Sequence, residues 1–414
     1  MRSIELFSGA GGLALGTHRA GFQHLLVVER DRDACDTLRL NVQRCIEGVH
    51  WPVIEADVRN VDYTDYCAAG KVDLLAGGAP CQPFSLGGKH AGEADVRNMF
   101  PEVLRAVRAI RPRAILLENV RGILRENFRP YFEYILNQLR LPMLTQFPGE
   151  TWWEHAERLS TIRHKRTHFP QDEQYLVSAE LYNSADLGVP QERQRVFIVA
   201  FRCDLGIRWA FPAPMHTKEA LLYAQYVDGS YWEEHGLSSQ PVPERFRRQV
   251  ERLARLSKPI LQRWQTVRDA LHDLPEPNNR NPHPLIDNHI GIPDARIYPG
   301  HTGSPWDWPA KAIKAGDHGN PGGENILRRD DGTVRYFTVR ELARIQTFPD
   351  EWYFANSWTE SRRQLGNAVP IAMAELIARH IYLSLAQVDT VAHSPDPHAL
   401  LRDPVVGESL VALR

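Results

Sequence analysis

Gly77 to Ser85 reads GGAPCQPFS and sets Cys81 between Pro80 and Pro83, just past an apolar run over residues 72–76. Proline fixes φ and stiffens such a turn. A cysteine at a strand end, near positive backbone dipoles, suits a low-pKa thiolate nucleophile. Glu118 opens a second segment, ENV, at the end of a run over residues 114–118. A carboxyl there becomes a proton donor or hydrogen-bond partner for a neighbouring reaction if burial raises its pKa. In QERQR, residues 191–195, strand alternation puts Gln191, Arg193 and Arg195 on one face. Three planar donor groups so placed suit an anionic or carbonyl-bearing ligand. FSGAGG, Phe7 to Gly12, is a glycine-rich turn between a strand pattern and a helix pattern, where backbone can approach a ligand closely. Glu29 ends the next strand pattern and suits a ribose hydroxyl pair. Asp57 ends the third and could accept from an adenine amino group.

These residues need a frame that gathers strand ends. Residues 3–7, 25–29, 53–57, 72–76, 114–118, 175–179 and 196–201 read as strands, and 33–45, 98–110 and 131–139 as helices between them. Val-, Ile- and Leu-rich strands alternating with helices predict an α/β, doubly wound, mostly parallel sheet. Ligands in such sheets lie outside the carboxyl ends of the strands. From residue 202 to 335 the pattern turns irregular and proline-rich, and five of the ten tryptophans fall there. Regular helices return over 338–346 and 368–385. The expected organisation is one domain from 1–204 plus 336–386, a smaller irregular domain over 205–335, and a tail of low order over 387–414.

Composition narrows the function. The 414 residues hold 49 Lys+Arg against 51 Asp+Glu, so a uniformly basic nucleic-acid coat is excluded while a local basic cleft is not. Residues 202–335 carry 18 basic and 17 acidic groups. No stretch approaches the roughly 18 apolar residues that would span a membrane, and MRSIELFSGAGG does not read as a signal peptide. Five cysteines without CxxC spacing argue against a disulfide framework or zinc site and for a reducing interior. Cys35, Cys45, Cys67 and Cys203 read as buried, inert thiols.

In chain order, FSGAGG, PCQPFS, ENV, QxRxR, RELARIQTFP (Arg340 to Pro349) and GNAVP (Gly366 to Pro370) resemble the motif series of the DNA (cytosine-5) methyltransferases of bacterial restriction–modification type. The resemblance covers residues 1–205 and 336–386, and the irregular stretch falls where that family places its target-recognition domain. It implies a Rossmann-like, S-adenosylmethionine-dependent methyltransferase fold. It also implies a covalent reaction in which Cys81 adds to C6 of cytosine. Glu118 would hold N3 and the exocyclic amine, and Arg195, with Arg193, would hold O2 or orient the acid. The base that removes the C5 proton is left open by these motifs.

By the same resemblance, S-adenosyl-L-methionine would lie against Phe7, Gly9, Ala10, Gly11, Gly12, Glu29, Asp57 and Val58. Pro80, Met99, Asn367 and Ala368 join them by position. The target base must be flipped out of duplex DNA. Ser85 and Lys89 are candidate phosphate contacts. The segment AGDHGNPGGEN, residues 315–325, supplies Gly316, Gly319, Gly322 and Gly323 as candidates for backbone contact in a groove. The basic stretch 244–258 is either a phosphate-facing surface or a solvated helix. The expected partners are double-stranded DNA and a cognate restriction endonuclease, with no membrane, a monomeric enzyme and a cytoplasmic, nucleoid-associated location.

An insertion over residues 141–174, with His155, His164 and His168, lacks metal-ligand spacing and reads as a solvated basic loop. Two other readings compete. One is a transfer-RNA methyltransferase of the same family, which the large middle region and the absence of its Cys-Phe-Thr signature oppose. The other is a catalytically inactive binding module, which intact Cys81, Glu118 and Arg195 oppose.

Overall fold

The central sheet has seven strands: β1 (Arg2–Leu6), β2 (Gln23–Glu29), β3 (Val53–Glu55), β4 (Leu74–Gly77), β5 (Ala114–Val120), β6 (Tyr175–Asn183) and β8 (Gln194–Arg202), with the two-residue β7 (Gln191–Glu192) just before the last. This is a computed structural model that describes residues 1–66, 72–80, 98–164, 169–297, 302–316 and 323–392. The order is β3-β2-β1-β4-β5-β8-β6. The first five strands pair in parallel, and β8 alone runs antiparallel to both its neighbours. Seven strands thus stand at the seven expected places, each shifted by a few residues at most.

Helices cover both faces, as buried parallel strands require. Four lie in the first half: α1 (Gly12–Arg19), α2 (Arg32–Gln43), α3 (Phe100–Ile110) and α4 (Arg129–Arg140). Val103 and Val107 of α3 and Ile135 and Leu139 of α4 pack on Ile4, Leu6, Ile115 and Leu117. The opposite face takes α1 and α12 (Ile371–Ala392), whose Met373, Ile377 and Ile381 meet Leu74, Leu116, Phe197 and Val199. Burying one such side chain contributes about 1.5–3 kcal/mol. α12 is apolar and long enough to cross a membrane, but much of that surface is spent on this core. A Cβ on Gly16 of α1 would sit 2.5 Å from the Ala374 Cβ, so the two helices can approach this closely only through glycine.

α12 reaches Ala392, so residues 387–392, expected in the tail, are helical. Periodicity weakens there, but Val388 still packs on the core. Asp389 also receives Arg113 at 2.5 Å, and Arg113 bonds Asp73 at 3.0 Å just before β4. Residues 393–414 lie outside the described ones.

The insertion contains a helix, α5 (Trp152–His164), where a solvated loop was expected. Trp152, Ala156, Leu159 and Ile162 pack on the core, but its amphipathic signal is weak in sequence because Trp153 is exposed and the polar His155 is buried. Trp152 meets Tyr131 edge-on at 5.2 Å, and His155 is fully buried with Nδ1 2.9 Å from the Tyr134 hydroxyl. Burial lowers the His155 pKa. His168 lies outside the described residues. Among the cysteines, Cys35 is buried and its thiol is pushed up to about 12 by desolvation. Cys203 is half-buried and shifted the same way. Cys45 corrects the expectation: α2 stops at Gln43, and Cys45 turns outward at φ 51, exposed. Cys67 is outside the described residues.

Beyond β8 the chain forms short pieces: α6 (Lys218–Tyr226), α7 (Ser230–Glu234), α8 (Arg247–Leu253) and α9 (Val267–Leu271). Trp232 and Trp264 build a small core with Leu221 and Tyr231. Regular structure returns at α10 (Val339–Ile345), which starts on a capping box between Thr338 and Glu341, and α11 (Trp358–Asn367).

Glu5 is the one charged side chain of the central β1 that points into this core. It is 0% exposed, and both carboxylate oxygens lack a hydrogen-bond partner among the described residues. Desolvation raises its pKa well above the usual carboxylate range. A raised folded-state pKa means its protonated form is favoured by folding. That contribution is complete below the ordinary carboxylate range and is lost as pH rises through the raised value. Glu5→Gln should therefore gain stability over the wild type at mildly alkaline pH, with the gap closing at mildly acid pH. Denaturant unfolding at both values measures it, and a gap independent of pH would contradict the assignment.

Candidate active site

β4 and β5 run side by side, with Gly77 opposite Leu117, so the turn after β4 meets ENV. A Cβ on Gly78 would lie 3.3 Å from Glu118 Oε2. Asn119 donates from Nδ2 to the Ala79 carbonyl at 3.2 Å, tethering the turn two residues before Cys81. Pro80 is half-buried at the edge of this turn. Cys81, Ser85 and Lys89 lie outside the described residues.

Glu118 stands inside its strand rather than at its end, because β5 continues to Val120. Val120 pairs with Arg195 across the antiparallel ladder, which brings Arg195 beside Glu118 on the same face. Arg195 Nε is 2.6 Å from Glu118 Oε1, and the Glu118 side chain is only 9% exposed. Burial raises the Glu118 pKa, while Arg195 and then Arg193 pull it back; the net direction is upward. The pair can hold a proton at the carboxyl and present guanidinium donors beside it.

Arg193 is 1% exposed and turns elsewhere. Its guanidinium donates to the carbonyls of Ile313 at 2.9 Å, Gly366 at 2.7 Å and Ala368 at 3.1 Å. Gln191 does related work. Its Oε1 accepts from Ile313 N at 2.9 Å, and its Nε2 donates to Gln346 Oε1 at 3.0 Å. A short strand, Ala310–Lys311, pairs in parallel with β7. The QERQR face therefore splits between Arg195 at Glu118 and two residues that knit three chain segments together.

The carboxyl ends of β1, β2 and β3 gather a second cluster. Phe7 leaves β1 at φ 57, a left-handed conformation unfavourable for an aromatic residue. Gly9 N donates to Glu29 Oε2 at 2.8 Å. Arg30 N and Asp31 N donate to Oε1 at 2.7 and 2.8 Å. Glu29 is thus fixed by three backbone amides and still has acceptor capacity for a hydroxyl pair. Asp57 bonds Arg59 at 2.9 and 2.6 Å, with Arg30 behind at 3.5 Å. The Arg59 contact holds its carboxyl well below the usual range. Val58, Ala10 and Met99 are buried, and Met99 caps α3. Gly12 closes the cluster against GNAVP: a Cβ there would fall 2.3 Å from the Val369 carbonyl and 3.3 Å from the Ala368 Cβ. Ala368 is buried and Asn367 exposed at that junction. The Glu29 and Asp57 carboxylates are acceptors that fit a nucleoside with a ribose diol and an amino-bearing base.

RELARIQTFP is largely structural. Arg340, 0% exposed, donates to the carbonyls of Asp287, Pro349 and Trp352, while Glu341 binds Arg335 at 2.6 Å. Gln346 ties to the Leu365 carbonyl at 2.5 Å. Of the candidate DNA contacts, Gly316 is exposed at φ 43 and Gly323 opens a short turn, Gly323–Asn325. Gly319 and Gly322 lie outside the described residues. In the basic stretch, Arg245, Arg247, Arg248, Arg252 and Arg255 are all exposed, with Arg247 on Glu244 and Lys258 on Asp228. Sequence reasoning missed Asn119, Gln346 and Arg362 as backbone tethers. Side-chain bonds to distant carbonyls leave no local pattern.

The sequence profile of the C-5 cytosine-specific DNA methylase family matches residues 1–141 and 157–383. The chain belongs to that family. The unmatched residues 142–156 fall in the insertion. Among relatives, it is 33% identical to the type II methyltransferase M.Eco47II of Escherichia coli, over 93% of this chain and 80% of the relative. It is 32% identical to M.PspPI of a Psychrobacter strain, over 91% and 78%. It is 31% identical to M.NgoMIV of Neisseria gonorrhoeae, over 92% and 97%. Two solved structures share the fold. One is a prophage-encoded putative DNA modification methyltransferase of E. coli, with TM-score 0.57, 20% identity and coverage of 93% and 99%. The other is the S. pombe Dnmt2 methyltransferase, with TM-score 0.55, 17% identity and coverage of 94% and 99%. The protein is accordingly a DNA cytosine-5 methyltransferase of the type II restriction–modification kind. The readings as a transfer-RNA enzyme or an inactive module give way to it.

Proposed function

We propose that the protein methylates C5 of a flipped-out cytosine in a short duplex DNA site through a covalent bond between Cys81 Sγ and C6, using S-adenosyl-L-methionine. The observation that carries this reading is the buried Glu118–Arg195 pair at 2.6 Å, set against the turn that leads into Cys81.

Cytosine C5 is a poor nucleophile while the ring is aromatic. Addition of the Cys81 thiolate at C6 breaks that aromaticity. Glu118, whose carboxyl burial biases towards the protonated form, in that form gives its proton to N3 as the ring accepts electrons, so the adduct is a neutral enamine rather than an anion. Arg195 orients the acid and offers donors to O2. S-adenosylmethionine, when bound, supplies an electrophilic methyl group on a sulfonium. Once C5 carries the methyl group, loss of the C5 proton to a base re-forms the double bond, the thiolate leaves C6, and N3 returns its proton to Glu118. Phe7, Gly9, Gly11, Gly12, Glu29, Asp57 and Val58 would hold the cofactor, with Ala10, Pro80, Met99, Asn367 and Ala368 around it. Asp57 must then share its carboxylate between Arg59 and the base.

The protein would act as a monomer, since one flipped base needs one enzyme. Its cellular place would be with DNA in the cytoplasm, beside an endonuclease that cuts the same site. Bisulfite sequencing of plasmid DNA incubated with protein and S-adenosylmethionine tests the reading. Protected cytosines should recur in one short context; no protected cytosine in DNA would refute it.

A further inference from the structure

Arg362 lies in none of the motifs that carry the chemistry, yet it is 1% exposed on α11. Its Nη1 donates to the Lys314 carbonyl at 3.1 Å and its Nη2 to the Gly316 carbonyl at 3.3 Å. Its guanidinium also lies over the Trp358 ring, 5.4 Å from the centroid. Burying a guanidinium is costly unless its donors are used, so this placement is specific. Other groups grip the same segment. Gly366, three residues past Arg363, leaves so little room that a Cβ would fall 2.3 Å from Ala315 N. Arg193 and Gln191 bond both backbone groups of Ile313, and Asn325 Nδ2 reaches the Lys314 carbonyl at 3.3 Å.

Residues 313–316 are therefore held through their backbone by Gln191, Arg193, Arg362 and Asn325, with the Ile313 side chain buried beneath them. Past Ile313 the segment turns outward: the Lys314 side chain is 60% exposed and meets Glu324 at 2.7 Å, and Gly316 is exposed. A segment held this way has a defined path, and its exposed edge at Lys314 and Gly316 is placed to meet DNA. Recognition groups lose discrimination when their supporting shell lets them drift.

We propose that Arg362 is a positioning residue for DNA specificity, fixing the path of residues 314–316 in the recognition region without touching cofactor or the reacting base. Rotation of that segment would loosen every contact it makes, and near-cognate sites would gain most, because a loose reader penalises a wrong base less. Lysine can supply the charge but not the fork that spans two carbonyls.

The inference rests on the proposed DNA-methylating function, and the test separates the two. Wild type, Arg362→Gln and Arg362→Lys, as full chains, are assayed on plasmid DNA with bisulfite readout, and for S-adenosylmethionine affinity by tryptophan fluorescence. For Arg362→Gln, KM for DNA should rise about tenfold, and methylation one base away from the cognate site should rise relative to cognate. Cofactor affinity should stay within about twofold, and Arg362→Lys should recover part of the loss. If Arg362→Gln fails to fold, Arg362→Lys carries the comparison. Unchanged discrimination, or cofactor and DNA affinity falling together in both variants, would overturn the proposal. A wild type that methylates no DNA would overturn the functional reading and this inference with it.

Discussion

Cys81→Ala should abolish methyl transfer to DNA while leaving S-adenosylmethionine affinity within about twofold of wild type. Without Sγ no bond forms at C6, the ring stays aromatic, and C5 has no nucleophilic character to offer. The effect is larger than that of losing a hydrogen bond, because an entire two-step route disappears rather than one stabilising contact. Cofactor affinity is spared because the groups assigned to it sit on other strand ends: Gly9 at β1, Glu29 at β2 and Asp57 past β3. Tritium transfer from labelled cofactor, alongside a fluorescence titration, separates the two quantities. Residual transfer within tenfold of wild type would remove Cys81 from the mechanism. Cys81→Ser should behave almost as the alanine variant, since an alkoxide is far harder to form than a thiolate at neutral pH.

Glu118→Gln should lower kcat by about 10²–10⁴, the usual range for losing a positioned general acid. Glutamine keeps the shape beside Gly78 and can still donate to a carbonyl or ring nitrogen, so the loss reports the proton and not the space. The pH profile gives the sharper signature. Burial raises the Glu118 pKa, against the pull of Arg195 and Arg193. The acid form therefore persists to higher pH than on an exposed glutamate, and is lost as pH rises through that value. Wild-type kcat should fall on that alkaline side while Glu118→Gln, with nothing to titrate there, shows no such limb. A limb of equal size in both enzymes would assign it to another group.

Much of the frame is legible in residue order because burial writes itself locally. β2, β4 and β5 are built on apolar runs covered on both faces, and each stands where such a run occurs. Glu29 and Glu118 stand out because an acid that closes an apolar run carries a desolvation cost that packing does not offset. What stayed hidden depends on contacts between distant segments. The antiparallel β8, slipped between β5 and β6, is set by pairing rather than by composition. Arg193 and Arg195 are indistinguishable by alternation. Only the fold shows one turned to Glu118 and the other, 173 residues from its partner, bonded to the Gly366 carbonyl. α5 was missed because its narrow stripe of Trp152, Ala156, Leu159 and Ile162 is masked in sequence by an exposed Trp153 and a buried polar His155. The last turns of α12 carry Val388 on the core and the Arg113–Asp389 pair, which no helix pattern announces.

The central claim, a covalent bond from Cys81 to C6, is tested most directly by trapping it. A duplex containing the methylated site, with 5-fluorocytosine as target base, is incubated with protein and S-adenosylmethionine. Fluorine cannot leave as a cation, so no proton is available at C5 and expulsion of the thiolate is blocked. The account predicts a denaturation-resistant protein–DNA complex, with the nucleotide mass on the proteolytic peptide that contains Cys81 and no complex from Cys81→Ala. A wild type that methylates the unmodified duplex but forms no such complex, or forms it on a peptide without Cys81, would contradict it.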